Sequence, residues 1–584
     1  MARLDPHSFN DDRQPSTRHI DWHARVDFEK RQLTADATLR FHVPGEGPLD
    51  LDTRGLDIET VFGPDGALLP FELFAPEPIL GERLRIELPR DTPFVRIRYR
   101  TSPAASALQW LTPEQTAGKR HPFLFTQCQA IHARSVLPCQ DTPRLRVTYT
   151  AQLSIPAALR ALVAAAPVER MVMGTEAVER YEMRQSIPPY LFAFAVGDLH
   201  FRQLGPRSRV WAEPSVVDRA AEEFTGVDAM LTAAEAIFGP YDWEQFDLLT
   251  MPPSFPYGGM ENPRLTFLTP TLLAGDRSLV NVVAHELAHS WTGNLVTNAS
   301  ANDFWLNEGF TVFAERHILE ALEGPDVAAL HSALGRYSLD EAVSQFKAEP
   351  ELTRLRTRLE GVDPDEAFSQ VPYEKGYLFL RALEDHVGRE AFLAFLKKYL
   401  QRFRFQSIVT EDFLSFARAE LPGALEAVKW ELWVDGSGVP ENAPVPRSAR
   451  LDAVESLHGL PTDAQARAWT PAEWQVFLKG FKGPLPLARV ADMDARFGLT
   501  ARTNFEVLVA WLVLAVRSGH APAVERTERV LGEVGRMKYL KPLYAALLAN
   551  PQTRGLAAPC FERYRAGYHP IAAQAVEGLL GRGG

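Results

Sequence analysis

Near the middle of the chain, five residues place two histidines four positions apart: His285-Glu286-Leu287-Ala288-His289. Residues at this spacing lie on one face of an α-helix, one turn above the other, so both imidazoles can aim at one point. That geometry suits Zn²⁺, which binds histidine nitrogens at about 2.0–2.1 Å. Glu286 points away from that line but can reach a water at the metal, which makes it the candidate general base. The spacing therefore predicts a zinc-binding helix.

The residues around this motif supply helix signals and a third ligand. Asp276 and Ser278 can cap the start of the zinc helix, and Gly293 can end it. A second helix is predicted to begin near Asp303 and to carry Glu308 in its second turn. Two histidines and one carboxylate leave the fourth zinc position open, which is typical of a catalytic site rather than a structural one. Two spaced histidines alone can arise by chance, but a third ligand at the expected spacing favours a true metal site.

A glycine-rich segment lies upstream of the zinc motif: Gly258-Gly259-Met260-Glu261-Asn262. Two consecutive glycines allow the backbone to approach another group closely, and an extended edge here could pair with a substrate peptide as an added strand. Glu261 would then lie near the first residue of the peptide, where its carboxylate can bind the protonated α-amino group. That contact would limit the enzyme to removing residues from the N-terminus. The alternative is an ordinary solvated glutamate.

These motifs resemble those of the gluzincin zinc aminopeptidases. Residues 252–257, 291–294 and 371–376 are similar to the leukotriene hydrolase and aminopeptidase B branch of that family. The likeness runs from about Gln127 to the C-terminal helices. It implies a peptide-bond hydrolase with one bound Zn²⁺, whose ligands are the two histidines of the motif and Glu308.

The resemblance also implies a role for Tyr373, which lies in residues 371–376. A phenol hydroxyl near zinc can donate a hydrogen bond to the oxyanion of a tetrahedral intermediate, an interaction that usually contributes most to such catalysis. A lone tyrosine is more often a packing residue, so this assignment rests on the resemblance.

Six further residues are candidates for substrate binding: Tyr257, Gln127, Gln129, Asp365, Arg536 and Lys538. Tyr257 leads directly into the glycine-rich segment. Gln127 and Gln129 are predicted at alternate positions of one strand, where both would face the same side. They are either surface residues or, as the resemblance implies, part of the substrate cleft, with Gln129 in direct contact.

The remaining candidates also have two interpretations each. Asp365 resembles an acid that lines the specificity pocket in this branch, where it would favour a basic or small polar first residue, but it could instead cap a helix. Arg536 and Lys538 match a basic pair that binds the carboxylate end of a short peptide in the family. Without the resemblance, they would be read as an exposed basic pair.

The composition of the chain limits the classes of molecule that it could bind. The 584-residue chain has a net charge of −12, which argues against nucleic acid or an anionic membrane surface as a partner. The apolar stretch at residues 505–516 is too short to span a bilayer. Three cysteines are too few for a disulfide framework, and the first residues lack a secretion signal, so we expect a cytoplasmic protein. We expect a monomer that acts on short peptides.

The pattern of apolar and polar residues along the chain predicts a multidomain α+β protein. Residues 1–199 alternate apolar and polar side chains, as at 95–100 and 145–150, which indicates an N-terminal antiparallel β-domain. The resemblance implies a saddle-like shape for it and a thermolysin-like mixed α/β catalytic domain over residues 200–434. Residues 435–447 are a linker rich in proline and glycine. Residues 448–584 show helical blocks at 463–480, 502–519 and 523–537, which predict an all-α helical-repeat domain.

Three alternative functions compete with the aminopeptidase. A bifunctional enzyme would also open a fatty-acid epoxide, as leukotriene hydrolases do, but Phe368 and Ala301 stand where the animal enzymes have a tyrosine and a tryptophan. An inactive peptide-binding scaffold would have lost a ligand or the base, and none is missing. An endopeptidase would keep the zinc site but would need no anchor at Glu261.

Overall fold

The computed structural model describes residues 4–582, in which three regions follow one another along the chain. The first region is built from twelve strands, bounded as follows: β1 Thr17–Asp27, β2 Gln32–Thr53, β3 Asp57–Phe62, β4 Phe71–Leu73, β5 Glu82–Arg100, β6 Leu108–Leu111, β7 Phe123–Thr126, β8 Val147–Pro156, β9 Arg160–Val163, β10 Ala166–Met173, β11 Glu176–Ile187 and β12 Phe194–Gly197.

These strands form two sheets. The larger has the order β10-β11-β8-β1-β2-β5-β3, with β4 paired to β5, and the smaller has the order β6-β7-β12-β9. The pairing is antiparallel, as predicted, except that β1 and β8 run parallel with His19 opposite Thr148. Alternation along β1 buries Trp22, whose indole N–H donates to the Tyr99 hydroxyl on β5 at 2.8 Å. The Tyr99 hydroxyl in turn donates to the carbonyl oxygen of Val136 at 2.9 Å, so this buried pair ties β1 and β5 to a segment outside the sheet.

The middle region mixes strands and helices. Its elements are β13 His200–Gly205, β14 Ser208–Ala212, α1 Val217–Glu223, α2 Val227–Phe238, β15 Phe246–Thr250, β16 Gly259–Met260, β17 Leu265–Leu268, α3 Asn281–Ala288, β18 Val296–Asn298, α4 Trp305–Glu323, α5 Pro325–Gln345, α6 Gly376–Val387, α7 Arg389–Arg402, β19 Gln406–Ile408, α8 Thr410–Glu420, α9 Ala424–Ala427 and α10 Trp430–Val434. A five-stranded sheet has the order β13-β14-β15-β17-β16, so the glycine-rich segment forms its edge strand. That edge faces the zinc-motif helix.

A close backbone crossing fixes α4, the helix that carries Glu308. A Cβ on Gly309 would lie 2.7 Å from the Cα of Gly376, the first residue of α6, and 3.1 Å from the carbonyl oxygen of Pro372. Real side chains do not tolerate such distances to backbone atoms. Two facing glycines therefore allow α4 to touch the turn at residues 371–376.

The third region is helical. Its helices are α11 Ala449–Glu455, α12 Asp463–Ala468, α13 Pro471–Lys479, α14 Leu487–Phe497, α15 Phe505–Arg517, α16 Ala521–Glu533, α17 Met537–Ala549, α18 Arg554–Tyr564 and α19 Pro570–Arg582. The predicted block at 463–480 is divided into two helices, because Thr470 and Glu473 form a capping box that starts α13 at Pro471. Within residues 4–582, no helix has the length and apolar character needed to cross a membrane.

An extended segment of the helical region, just before α17, is hydrogen-bonded to the middle region. The backbone N–H of Gly535 donates to Pro253 at 2.7 Å, and that of Met537 donates to Pro256 at 2.8 Å. A Cβ on Gly535 would lie 2.6 Å from the Cα of Ser254. The segment before α17 is therefore held against the chain that leads into the glycine-rich edge strand. The three-region arrangement confirms the predicted multidomain α+β architecture.

The close approach of Gly309 to Gly376 leads to a prediction about stability. We expect Gly309→Ala to destabilise the protein by about 1–3 kcal/mol, because an added methyl group meets backbone atoms that cannot rotate away. The midpoint of urea unfolding measures the change. Gly555→Ala is the matched control, since Gly555 lies in α18 with open space around its Cα, and we expect it to be neutral or stabilising by about 1 kcal/mol. Equal losses in both variants would contradict the packing argument.

Candidate metal centre and active site

Three side-chain atoms from two helices meet at one point. The Nε2 atoms of His285 and His289 are 3.2 Å apart, and they lie 3.4 Å and 3.6 Å from Oε2 of Glu308. Ligands about 2.0–2.1 Å from a tetrahedral Zn²⁺ are separated by roughly 3.3–3.4 Å. The triangle therefore has the dimensions that three zinc ligands require. Together these residues form a group of metal-ligating atoms within bonding reach of one ion.

A second observation supports Glu308 as a metal ligand. The Glu308 side chain is 3% exposed, and its Oε2 atom accepts no hydrogen bond from any described residue. A buried carboxylate oxygen without a donor is costly unless a cation compensates it. The second helix begins at Trp305 rather than near Asp303, so Glu308 lies in its first turn and not, as predicted, in the second.

The zinc helix also differs from the prediction at both ends. It begins at Asn281, and the Asp276 carboxylate instead accepts from the backbone of Ser278 in the preceding turn. It ends at Ala288, but His289 keeps helical backbone angles and so still faces the same point as the first histidine. Gly293 follows in a left-handed conformation, with φ at 119°, and a Cβ there would lie 2.8 Å from Nδ1 of His289.

The other nitrogen of each histidine has a partner that orients its ring. Nδ1 of His285 is 3.1 Å from the Glu315 carboxylate, and Nδ1 of His289 is 3.1 Å from the carbonyl oxygen of Thr292 and 3.0 Å from the Thr311 hydroxyl. Such outer partners fix the tautomer that leaves Nε2 for the metal. Burial lowers the pKa of His289 to about 4, so this imidazole is neutral at pH 7, as a metal ligand must be.

Glu315 was not identified from the sequence, although a signal was present. It lies seven residues after Glu308, so both carboxylates project from one face of α4 two turns apart. Burial alone would raise the pKa of Glu315, but Arg316 and His285 lower it to about 2. The carboxylate is therefore ionised and holds the imidazole of His285.

Glu286 lies beside the glycine-rich edge strand. A Cβ on Gly259 would collide with the Glu286 carboxylate, so only glycine lets the strand pass this close. Burial raises the pKa of Glu286 to about 8, which gives the group a raised affinity for a proton. A bound divalent cation would oppose that rise by Coulomb attraction. The position and the proton affinity both suit a general base.

Glu261 lies one residue beyond that strand and is 4% exposed. The side-chain amide of Asn294 holds its backbone carbonyl at 2.7 Å, whereas its Oε1 atom accepts no hydrogen bond from any residue that the structure describes. Burial, reinforced by the carboxylates of Glu308 and Glu286, raises its pKa well above the usual range. A cationic group placed beside Glu261 would lower that pKa and favour the ionised carboxylate. Glu261 is thus not the solvated glutamate of the alternative interpretation.

Tyr373 lies in a π-helical turn, Val371–Lys375, that leads into α6. Its ring is stacked on that of His285, with centroids 6.0 Å apart and planes inclined by 21°. Burial, and the carboxylates of Glu308 and Glu261, raise the pKa of its hydroxyl well above the usual range. The phenol is therefore protonated at neutral pH and available as a hydrogen-bond donor beside the metal ligands.

A cleft opens next to these residues, and Tyr257, Gln129 and Asp365 line it. Gln127 and Gln129 do not lie on a strand as predicted, because β7 ends at Thr126. Gln127 is instead buried with its amide 3.1 Å from the sulfur of Met260, so the two glutamines do not face the same side.

Asp365 does not cap a helix. Its carboxylate is 2.8 Å from Nε2 of His132, and that histidine contacts the Ser106 hydroxyl through its other nitrogen at 2.8 Å. A partner 233 residues away in sequence could not be found from local patterns. Asp365 is therefore held in place within the cleft by an imidazole from the N-terminal region.

The two basic candidates differ in environment. Arg536 is buried, donates to the Tyr539 hydroxyl at 2.9 Å and lies against the backbone of Gly258, where a Cβ would be 2.6 Å from its guanidinium. Lys538 is exposed, and its amine donates to Glu506 at 2.6 Å. Both cations share that one carboxylate, since Arg536 is 3.8 Å from the same oxygen. They are thus not a free surface pair.

The Glu315 contact gives a prediction about metal affinity. We expect Glu315→Gln to weaken zinc binding by about 10- to 100-fold, because a neutral amide holds the ring of His285 less firmly and lowers its basicity. Competition with a chromogenic chelator measures the zinc dissociation constant. Glu323→Gln, an exposed change at the end of the same helix, should leave zinc binding unaltered. An unchanged affinity in Glu315→Gln would remove this residue from the site.

Comparison with known proteins places the chain in a family. The Peptidase family M1 domain matches residues 223–433, the Peptidase M1 N-terminal domain matches 16–191, and the C-terminal domain of leukotriene A4 hydrolase matches 469–580. Leukotriene A-4 hydrolase of Xenopus laevis is 38% identical over 98% of both chains. Leucine aminopeptidase 2 of Neurospora crassa is 39% identical over 83% of this chain and 76% of its own.

Solved structures agree with these matches. The structure of yeast LTA4 hydrolase in complex with bestatin covers 99% of this chain and 97% of its own, with a TM-score of 0.90 and 32% identity. Both the sequence and the fold are therefore shared over nearly the whole length. The chain belongs to peptidase family M1, and all three of its domains are similar to those of leukotriene A4 hydrolases.

Proposed function

We propose that this protein is a zinc-dependent aminopeptidase that removes the first residue from short peptides. The observation that carries the proposal is the placement of Glu261, a buried carboxylate without a cationic partner among the described residues, beside a three-ligand zinc triangle. A zinc site alone would suit many hydrolases. An anionic group at the edge strand next to it supports selection of a free α-amino group.

Each residue has a separate task in this mechanism. His285, His289 and Glu308 would hold Zn²⁺, which when bound polarises a carbonyl group and lowers the pKa of water. Glu286 accepts the proton of the attacking water and delivers it to the leaving amine. Tyr373 donates a hydrogen bond to the developing oxyanion. The distances between the metal ligands and the positions of Glu286 and Tyr373 beside them support these roles.

The groups beside the two ends of the edge strand support a preference for short peptides. Glu261, one residue beyond the strand, offers a carboxylate that the ammonium group of a substrate would keep ionised. At the other end, Arg536 and Lys538 share the single carboxylate of Glu506, so one positive charge remains to bind a terminal carboxylate. Gly258, Gly259 and Met260 lie between these ends on the edge strand, where an extended peptide could pair with the backbone.

We further propose the domain limits, location and assembly state. Helix α10 ends at Val434 and α11 begins at Ala449, which supports domains over 1–199, 200–434 and 448–584 with a linker at 435–447. Cys128, Cys139 and Cys560 are buried free thiols, which suits the reducing cytoplasm. A monomer carries both anchors of the cleft, so the proposed reaction requires no second copy.

Epoxide hydrolysis is a second candidate. The cleft beside the zinc site is lined largely by apolar side chains, including Phe304, Leu355 and Phe368, and could admit a fatty acyl chain. Ala301 lines the same cleft, so the two departures noted in the sequence both alter its walls. Formation of a diol from a fatty-acid epoxide, measured beside peptide hydrolysis, tests this activity. We expect peptide hydrolysis to be the faster reaction.

The general-base assignment gives a direct prediction. We expect Glu286→Gln to lower kcat by about 10²- to 10⁴-fold, because an amide cannot accept the proton. Zinc content should not change, since Glu286 is not a ligand. Metal analysis of the purified variant is the control, and substantial activity with zinc bound would exclude Glu286 as the base.

The proposed role of Glu261 as the amino-group anchor gives a further prediction. We expect Glu261→Gln to lower kcat/KM for free-amine peptides by about 10- to 100-fold, because a charge-assisted hydrogen bond of about 1.5–3 kcal/mol is lost. Kinetics on a tripeptide measure this loss. The zinc dissociation constant should stay unchanged, which separates loss of the anchor from damage to the metal centre. A variant with normal kcat/KM would disprove the anchor.

A further inference from the structure

A buried arginine lies behind the zinc site and contacts carboxylates from two separate segments. Arg316 follows Glu315 on α4 and is 7% exposed. Its NH2 nitrogen lies 3.0 Å and 3.2 Å from the two carboxylate oxygens of Glu374, and its NH1 nitrogen lies 3.7 Å from Glu315. One guanidinium thus links the partner of a metal ligand to the turn at residues 371–375.

These contacts form a closed ring of interacting residues beside the metal centre, which we call the circuit. Its members are His285, Glu315, Arg316, Glu374 and Tyr373. Glu315 holds the ring of His285 at 3.1 Å, and Glu374 is the residue next to Tyr373. Tyr373 in turn stacks on the same His285 ring, with centroids 6.0 Å apart. A displacement of any member therefore changes the contacts of the next one. The circuit joins a metal ligand to the proposed oxyanion donor by a route that does not pass through the metal.

Surrounding packing leaves Arg316 and Glu374 little freedom. The guanidinium carbon lies 5.0 Å from the centre of the Tyr377 ring, and NH2 also donates to the carbonyl oxygen of His331 at 3.0 Å. A Cβ on Gly335 would collide with the Glu374 carboxylate, so helix α5 presses directly against that group. Neither side chain can swing away without breaking buried hydrogen bonds, which is costly in a site that water cannot reach.

We propose that Arg316 is a positioning residue that couples the orientation of the zinc ligand His285 to the placement of Tyr373. The Tyr373 half of this inference rests on the proposed function, whereas the His285 half concerns metal binding alone. A guanidinium suits the task because its rigid, planar fork can hold two carboxylates in fixed directions, which a lysine ammonium cannot do.

The test uses Glu374→Gln, which alters neither a metal contact nor the tyrosine itself. With its charge removed, Glu374 should hold Arg316 less firmly, and Arg316 should in turn constrain Glu315 less. We expect zinc to bind about 10-fold more weakly, at the lower end of what outer contacts to a metal ligand contribute. We also expect kcat to fall about 10-fold while KM changes less than about twofold, because the displaced hydroxyl acts mainly in the transition state.

Glu384→Gln is the matched control. Glu384 is a buried carboxylate on α6 that pairs with His317 at 3.3 Å and Arg389 at 3.1 Å, but it contacts no member of the circuit. A purely structural loss would lower thermal stability in both variants alike. The proposal expects similar losses of stability, with changes in zinc affinity and kcat only in Glu374→Gln.

Two outcomes of the zinc-affinity measurements overturn the proposal. One is unchanged zinc affinity in a folded Glu374→Gln protein, and the other is an equal loss of zinc affinity in Glu384→Gln. If Glu374→Gln does not fold, Arg316→Lys keeps the buried charge and is measured in the same way, with the same expected loss of zinc affinity. Chelator competition needs no substrate, so absence of peptide hydrolysis by the unaltered protein would refute the proposed function without affecting this result.

A second set of variants checks the route to Tyr373. Because both changes act on the same hydroxyl, adding Glu374→Gln to Tyr373→Phe should lower kcat by less than about twofold more. Zinc affinity should still fall about 10-fold in the double variant, through Arg316 and Glu315. Fully multiplicative losses of kcat would show that Glu374 does not act through Tyr373, and would contradict the proposal.

Discussion

The concentration of buried carboxylates around two imidazoles is the constraint on which the rest of this structure depends. Four carboxylates are buried within the same small volume: Glu261, Glu286, Glu308 and Glu315. Carboxylates outnumber the cationic side chains there, and buried negative charge is costly unless it is compensated. A divalent ion held by Glu308 and a substrate ammonium group held by Glu261 would supply the missing positive charge. The ligands that the proposed reaction requires would therefore also compensate the buried negative charge of the site.

Close backbone approach is the means by which the fold builds that centre. Gly259 lets the edge strand pass the general base, the Gly309 and Gly376 pair lets α4 meet the turn that carries Tyr373, and Gly535 brings the helical region against residues 253–256. In each case a methyl group would separate two segments that come from distant parts of the sequence. The geometry of the site therefore depends on glycines that let distant segments of the chain approach each other closely.

The parts that could be predicted from sequence were those set by local periodicity. Helical spacing identified the two histidines and the base, the expected separation of a third ligand from that motif identified Glu308, and alternation identified the strands of the N-terminal region. The features that local patterns did not reveal share a physical cause. Gln127 follows a strand end rather than lying on a strand, Asp365 pairs with His132 across more than 200 residues, and Glu308 lies one turn earlier because α4 begins at Trp305. Each of these depends on tertiary contacts, which no local pattern contains.

The central claim is that one metal ion and one amino-group anchor make this protein an aminopeptidase. The measurement that tests it most directly is hydrolysis of tripeptides that begin with Arg, Ala, Leu or Glu, compared with N-acetylated copies of the same peptides, before and after zinc is removed with a chelator. The account predicts cleavage of the free-amine peptides alone, lost with the metal and restored by added Zn²⁺. Cleavage of acetylated peptides at a comparable rate, or no cleavage of any peptide with zinc bound, would contradict it.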